Sequence, residues 1–456
     1  MMKLIEFLEN YKGKYILSAD VMRDSVVGEM TEREFPHVHG ISLNKEVYNL
    51  PYYWRNKYSY NNKYDTHYPD GMFEVVYDLS KDISNVFKFF QESTRILADN
   101  GVLIVSFKLP YPKTFNLTEI YHSDEFTAYK IRKKEGKLPK RINILLETKG
   151  IAEGIRYTTD IMKARFNKIG IKTDVYKTIE ECPKEYPTIV EWMPYMKLPN
   201  RKVIVEAHDL PTINNIGFSF ARIFSDVRYW IYAPVYFVKF LQFSLRNHES
   251  KVKLINQTMV TRSYELAEKA RIKEYYIMPH CLPPMIKSKA NVNGEICLGA
   301  YGFAAWYKNF DETCKVAKRL KVKLIMLLSV NYNNDLAVNE TLGNATKLQK
   351  KYGDDLIQIK IGEWSNEEIA EGLKDCTHII STQFNVDNVS SSMRFAYSLG
   401  KPIISIDNYQ AREAQVIRVK NSREITKKLL EKTRNTKISM DDGFRYVLKI
   451  LGNNNA

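Results

Sequence analysis

Asp375-Cys376-Thr377-His378-Ile379-Ile380-Ser381 opens the stretch on which the reading of this chain turns. It continues through Ser390-Ser391-Ser392-Met393-Arg394-Phe395-Ala396-Tyr397 and closes with Gly400-Lys401-Pro402-Ile403-Ile404-Ser405. The first apolar run predicts a short buried strand. The serine cluster predicts a helix N-terminus, Gly400 its C-terminal cap, and Pro402-Ile403-Ile404 the next strand. Strand, polar loop, short helix and strand make a βαβ unit whose loop lies at the carboxyl end of a parallel sheet. Free amides and the helix dipole at such a place favour a phosphate. A purely structural βαβ unit shows the same pattern, so this stretch decides the fold before the function.

Working outward, the same alternation recurs twice. Ile142-Asn143-Ile144-Leu145-Leu146 starts a run in which strands at 172–176, 188–192 and 203–207 alternate with helical segments, the first at 155–169. A further block starts at Glu295-Ile296-Cys297-Leu298-Gly299. It continues with a helix at 311–320, strands at 323–328 and 356–361, and a capping box at Ser365-Asn366-Glu367-Glu368. Strands alternating with helices indicate parallel sheets wound on both sides. The charged run 132–141, with Gly136 and Pro139 and almost no apolar content, separates this region from an earlier block. The expected division is 1–131, a linker at 132–141, 142–288, 289–430, and a C-terminal helix and tail at 431–456; the stretch 422–451 reads as helical and basic, long enough to pack back across domains.

In the first block, β-rich runs at 15–17, 38–41, 73–77 and 102–106 surround an amphipathic helix at 83–97, closed by a turn at Asp99-Asn100-Gly101. Residues 73–107 resemble the back half of class I S-adenosylmethionine-dependent methyltransferases, with 126–131 as the terminal strand. The glycine-rich cofactor loop of that family is missing, since Leu17-Ser18-Ala19-Asp20 has no glycine pair. The block therefore reads as a degenerate methyltransferase-like Rossmann domain without methyl transfer.

At 456 residues the chain exceeds one ordinary core. An apolar fraction of 44% with 30 Tyr and 21 Phe is globular, and a net charge of +15 suits a polyanionic partner without naming one. Five scattered cysteines with no Cys-x-x-Cys pair indicate neither a disulfide framework nor a zinc site, and no metal is implied. The chain start has no apolar leader, and the aromatic stretch 229–245 is interrupted by Lys239 and Gln242, which is impure for a membrane span. A cytoplasmic protein is expected. Peripheral membrane contact through that stretch stays open beside its reading as a core-packing helix.

From residue 142 onward the ordered landmarks resemble the retaining glycosyltransferases of the GT-B fold, especially family 4. The landmarks are the Gly150–Gly154 loop, His208-Asp209, Ser263, Met278-Pro279, Gly299, Lys308-Asn309, Asp387 and Gly400-Lys401-Pro402. The resemblance implies an α/β architecture of two Rossmann-like domains facing across a cleft, with the methyltransferase-type domain before them. It implies transfer of a sugar from a nucleotide-sugar to an unknown acceptor (glycan, lipid-linked or protein), with no required cofactor. Lys308, Asn309, Asp387, Ser390, Ser391, Ser392 and Arg394 would then hold the donor and its phosphates. His208 and Asp209 would be the catalytic pair on the sugar and acceptor side, and Gly150 and Gly154 would let the backbone approach. The chain departs from the family at the paired glutamates: Asp387 and Phe395 stand in those positions. Three other readings stay open, namely an inactive GT-B scaffold, a nucleic-acid-binding protein, and methyl transfer through residues 1–131. No recognised nucleic-acid motif supports the second of these.

Overall fold

The fold is that of a computed structural model. It describes residues 2–20, 26–44, 46, 57–80, 83, 85–109, 112–132, 137–146, 153–192, 198, 201–207, 257–261, 267, 275–286, 295–330, 335–383, 392–408, 411, 416–436 and 440–454.

Three separate sheets run in chain order. The first contains β1 (Ile16–Ser18), β2 (Val38–Ser42), β3 (Lys57–Tyr60), β4 (Phe73–Asp78), β5 (Leu97–Val105), β6 (Leu117–His122) and β7 (Thr127–Ile131), in the spatial order β3-β2-β1-β4-β5-β7-β6. Its first five strands are parallel, and β7 runs antiparallel to both β5 and β6. The second contains β8 (Arg141–Leu145), β9 (Lys172–Tyr176), β10 (Thr188–Trp192), β11 (Ile204–Ala207), β12 (Thr258–Thr261) and β13 (Tyr276–Ile277), ordered β13-β12-β11-β10-β8-β9. The third contains β14 (Cys297–Phe303), β15 (Lys323–Ser329), β16 (Ile357–Gly362), β17 (His378–Ser381), β18 (Ile403–Ile406) and β19 (Ile417–Val419), ordered β16-β15-β14-β17-β18-β19. Every described pairing in the second and third sheets is parallel. The expected α/β class with Rossmann-like units is what the chain adopts.

The strand order positions the sites. In each sheet the chain first winds to one side of its opening strand and then to the other. The order reverses between β1 and β4, between β8 and β10, and between β14 and β17. Ligands of open α/β sheets bind outside the carboxyl ends of the strands at such reversals. Central strands are the most apolar, as expected where a parallel sheet is covered on both faces; Leu324 to Leu328 of β15 are all buried.

The tail supplies the cement between units. Helix Gly443–Asn454 inserts Phe444, Tyr446, Val447, Ile450 and Leu451 into one core shared by the first and second sheets. The sequence leads to expect a helical, basic tail over 422–451. The structure has a 3-10 turn at Ser422–Glu424, a helix at Lys427–Thr433, and then the docked helix.

Other differences have local causes. The helix expected over 83–97 spans Val86–Ile96, opened by Asn85, whose side chain accepts from the Lys88 amide. Strand β5 begins at once with Leu97, and the expected turn lies inside it. Asn100 takes a left-handed φ of 61°, and the register to β4 shifts between Phe73 and Val75. Strand β6, absent from the sequence reading, buries only Leu117 and so shows no alternation. Helix Asp335–Tyr352 was equally illegible, because Asn339, Thr341, Gly343 and Asn344 interrupt its apolar spacing. The stretches 229–245 and 264–266 lie outside the described residues. Among the described residues no helix is long and apolar enough to cross a membrane.

Candidate functional site at the strand-order reversal of the third sheet

After β14 the chain makes one 3-10 turn, Trp306–Lys308, and then passes through Asn309 into helix Phe310–Leu320. Asn309 sits at φ 53° and ψ 42°, a left-handed conformation that asparagine tolerates better than most residues. Its side-chain amide donates to the Thr382 carbonyl at 3.1 Å, just beyond β17. In return, Thr382 Oγ1 donates to the Asn309 carbonyl at 2.7 Å and lies 2.8 Å from Thr313 Oγ1. Asn408, beyond β18, donates to the Gln383 carbonyl at 3.2 Å and accepts from the Ala411 amide at 2.8 Å. The carboxyl ends of β14, β17 and β18 are thus laced together by short polar side chains.

Lys308 lies inside this lacing. Its ammonium donates to Gln383 Oε1 at 2.9 Å and stands 5.5 Å from the Tyr307 ring centre. The residue is buried, and burial pulls its pKa from the usual lysine range down to about 8. Lysine only donates, so the oxygen of Gln383 must face it. The amide nitrogen of Gln383 is then left buried with no hydrogen-bond partner. A buried cation beside an unused donor, at the reversal between β14 and β17, is an arrangement suited to an anion.

The remaining expected residues divide clearly. Arg394 is buried, and its Nη1 donates to the main-chain carbonyl of Asp441 at 2.5 Å. Its guanidinium therefore joins the third sheet to the tail. Ser392 opens helix Ser392–Ser398, which at seven residues is two turns long and carries only a small dipole. Gly154 is the second residue of helix Glu153–Lys168. His208, Asp209, Asp387, Ser390, Ser391 and Gly150 lie outside the described residues.

Phe395, where the resemblance leads to expect a second carboxylate, has a structural use. Its ring sits 5.6 Å from Tyr301 of β14 and 6.3 Å from Tyr157 of helix Glu153–Lys168, edge to face in both cases. Both tyrosine hydroxyls are pushed up by burial, Tyr301 strongly. The second and third units meet at this aromatic joint, close to the first turns of the two helices that leave β8 and β17. Among the described residues no group of three or more His, Cys, Asp or Glu could hold a metal ion.

No protein-family model and no curated protein matches the chain. Among solved structures it is similar to AviGT4, a glycosyltransferase involved in avilamycin A biosynthesis. The identity is 8% and the TM-score 0.43, over 69% of this chain and 96% of that one. It is also similar to HepE of Anabaena, solved with UDP and glucose, at 10% identity and TM-score 0.41 over 70% of this chain and 94% of that one. A shorter likeness, to geranyl diphosphate methyltransferase, has 20% identity and TM-score 0.20 over 22% of this chain and 42% of that one.

Thr382, Gln383 and Asn408 escaped the sequence reading. Their signal was present, since each is a polar residue just past the carboxyl end of an apolar strand. Only the strand order says which of these ends lie together.

Proposed function

We propose that the chain is a glycosyltransferase that moves a sugar from a nucleotide-sugar donor to an acceptor held between residues 142–288 and 289–430. The observation that carries this reading is the buried ammonium of Lys308 beside Gln383, at the reversal between β14 and β17. Sugar transfer builds negative charge on the departing diphosphate and positive charge on the anomeric carbon. A cation already desolvated before the reaction stabilises that diphosphate without reorganising. One charge-assisted contact of this kind contributes about 1.5–3 kcal/mol.

On this reading Lys308 and the Gln383 amide nitrogen face the diphosphate. Asn309 holds the loop that carries the lysine, and Ser390, Ser391 and Ser392 supply further donors. Asp387 takes the donor's hydroxyls alone, because Phe395 is committed to the aromatic joint. Gly150 and Gly154 allow close approach from the second unit, and His208 with Asp209 act on the sugar and acceptor side, with retention of configuration. No metal enters the reaction.

The test is turnover. The protein is incubated with UDP-, GDP- and ADP-sugars, and nucleotide release is followed with and without candidate glycan, lipid-linked and protein acceptors. Release of one nucleotide, lost in Lys308→Met, is expected. No release and no thermal shift with any nucleoside diphosphate would refute the reading.

A further inference from the structure

The carboxyl edge of the first sheet holds a charge that belongs to the chain itself. Lys63 is buried, and its ammonium lies 2.7 Å from Asp78 Oδ2 at the end of β4. The same ammonium is 3.1 Å from Ser80 Oγ and 3.8 Å from Asp20 Oδ2, just beyond β1. Asp78 Oδ1 takes the Ser80 amide and hydroxyl at 2.8 and 2.5 Å, and Ser42, ending β2, donates to Asp20 at 3.4 Å. This is the reversal between β1 and β4, where an open α/β sheet would receive a ligand. The segment bearing Lys63 is firmly mounted. Asn61 donates to the Thr66 carbonyl at 2.7 Å, and the Thr66 amide and hydroxyl donate to the buried Glu92 carboxylate at 2.7 and 2.5 Å. Arg95 then closes on Glu92 at 2.8 and 2.6 Å.

A methyltransferase-like block implies S-adenosylmethionine, and these residues do not fit it. The carboxylates that could face a sulfonium are already neutralised from within. An incoming sulfonium would meet an ammonium in a low-dielectric crevice, where like charges repel strongly. The opposite edge of the same sheet is in use. His39 Nε2 lies 2.7 Å from Asp441 Oδ2, both side chains fully buried. Arg445 pairs with Glu74, donates to the Met72 carbonyl at 3.1 Å and stacks 4.0 Å over the Tyr15 ring. The Asp442 amide donates to the Tyr15 hydroxyl at 3.3 Å.

We infer that Lys63 is a built-in occupant of the first unit's ligand crevice. Residues 1–131 therefore take up no adenosyl cofactor and act as the platform on which helix Gly443–Asn454 docks.

Two measurements on the full chain test this. In titration calorimetry, neither S-adenosylmethionine nor S-adenosylhomocysteine should bind at concentrations up to about 1 mM. The second ligand lacks the sulfonium charge and so separates occlusion from repulsion. Saturable binding of either one at a micromolar Kd, lost in Asp78→Ala, overturns the inference. In thermal melts, Lys63→Met should lower the midpoint by about 5 °C or more, and adding Asp78→Asn should recover most of the loss. A buried ion pair is damaged most when only one partner is removed. An unchanged midpoint in Lys63→Met also overturns it, since an occupant that the fold depends on cannot be removed silently.

Discussion

Asp442 and Arg165, 277 residues apart in the chain, share a two-pronged ion pair with Nη–Oδ distances of 2.6 and 2.5 Å. Arg165 lies in the last turn of the helix that follows β8, and Asp442 opens the helix that docks on the first sheet. The preceding residue, Asp441, gives its carboxylate to His39 and its carbonyl to Arg394. Two consecutive aspartates therefore hold one partner from each of the three units.

That arrangement ranks the members of the joint. Asp442 Oδ1 also accepts the Leu282 and Phe444 amides, both at 3.2 Å, so its loss strands two amides and the guanidinium, whereas the loss of Arg165 removes the ion pair and one stacking contact 4.3 Å over the Phe444 ring. Asp442→Ala should cost about 2–4 kcal/mol and Arg165→Ala about half that. Thermal melts check the ranking, and limited proteolysis should cut the tail of the Asp442 variant first.

Two glycine substitutions should move stability in opposite directions. A Cβ on Gly443 would stand 1.8 Å from the Pro279 carbonyl oxygen, a backbone atom with no room to yield. Gly443→Ala should lift the helix off the second unit and cost about 3 kcal/mol or more. A Cβ on Gly343, inside helix Asp335–Tyr352, meets nothing within 4 Å. Gly343→Ala should add about 0.5–1 kcal/mol. Paired melts of the two variants check both signs.

Lys308 predicts how nucleotide binding depends on pH. Burial lowers its pKa to about 8, so the free protein loses this ammonium as pH rises through that value. With the terminal phosphate fully ionised, above pH about 7, affinity for a nucleoside diphosphate should be level to pH about 8 and fall up to about tenfold per unit above it. Stability moves the other way. The unfolded lysine keeps its proton to a higher pH, so the cost of burying the cation shrinks as pH rises from about 8 toward about 10.4. Lys308→Met should weaken binding by about 10- to 100-fold and abolish the high-pH fall. Calorimetry across pH 6 to 10 reads both effects.

Gln383 should separate from Lys308 by substitution. Gln383→Leu removes the lysine's acceptor and the buried amide donor together, and should weaken diphosphate binding by about tenfold. Gln383→Glu places a carboxylate on the ammonium. It should weaken binding further while moving the high-pH limb upward, because a nearby anion raises a lysine pKa. A limb that stays in place would show that position 383 does not touch Lys308 in solution.

The third unit was the most legible part of the fold. Its central strand β15 carries the continuous apolar run Leu324 to Leu328, and its punctuation is explicit: Ser365 and Glu368 form the reciprocal capping box, and Gly400 ends its helix at φ +66°. Lys308 and Asn309 were legible as a pair because they follow an apolar strand and precede a helix. Gln383 was not, since its meaning depends on β17 lying beside β14, a neighbourhood set by crossovers rather than by adjacent residues. The role of Arg394 was hidden for the same reason. A helix arginine reads as a surface or phosphate-facing charge until a tail 47 residues onward covers it. The first unit concealed its crevice similarly, because nothing near Lys63 in sequence announces Asp78 and Asp20 as its neighbours.

The central claim is that the reversal between β14 and β17 seats a departing diphosphate. A crystal structure of the chain with a bound nucleoside diphosphate tests this most directly. The account predicts a phosphate oxygen about 2.7–3.0 Å from Lys308 Nζ, with the Gln383 amide nitrogen turned to the same group. A nucleotide bound elsewhere, with the Lys308–Gln383 contact unchanged beneath it, would contradict the account.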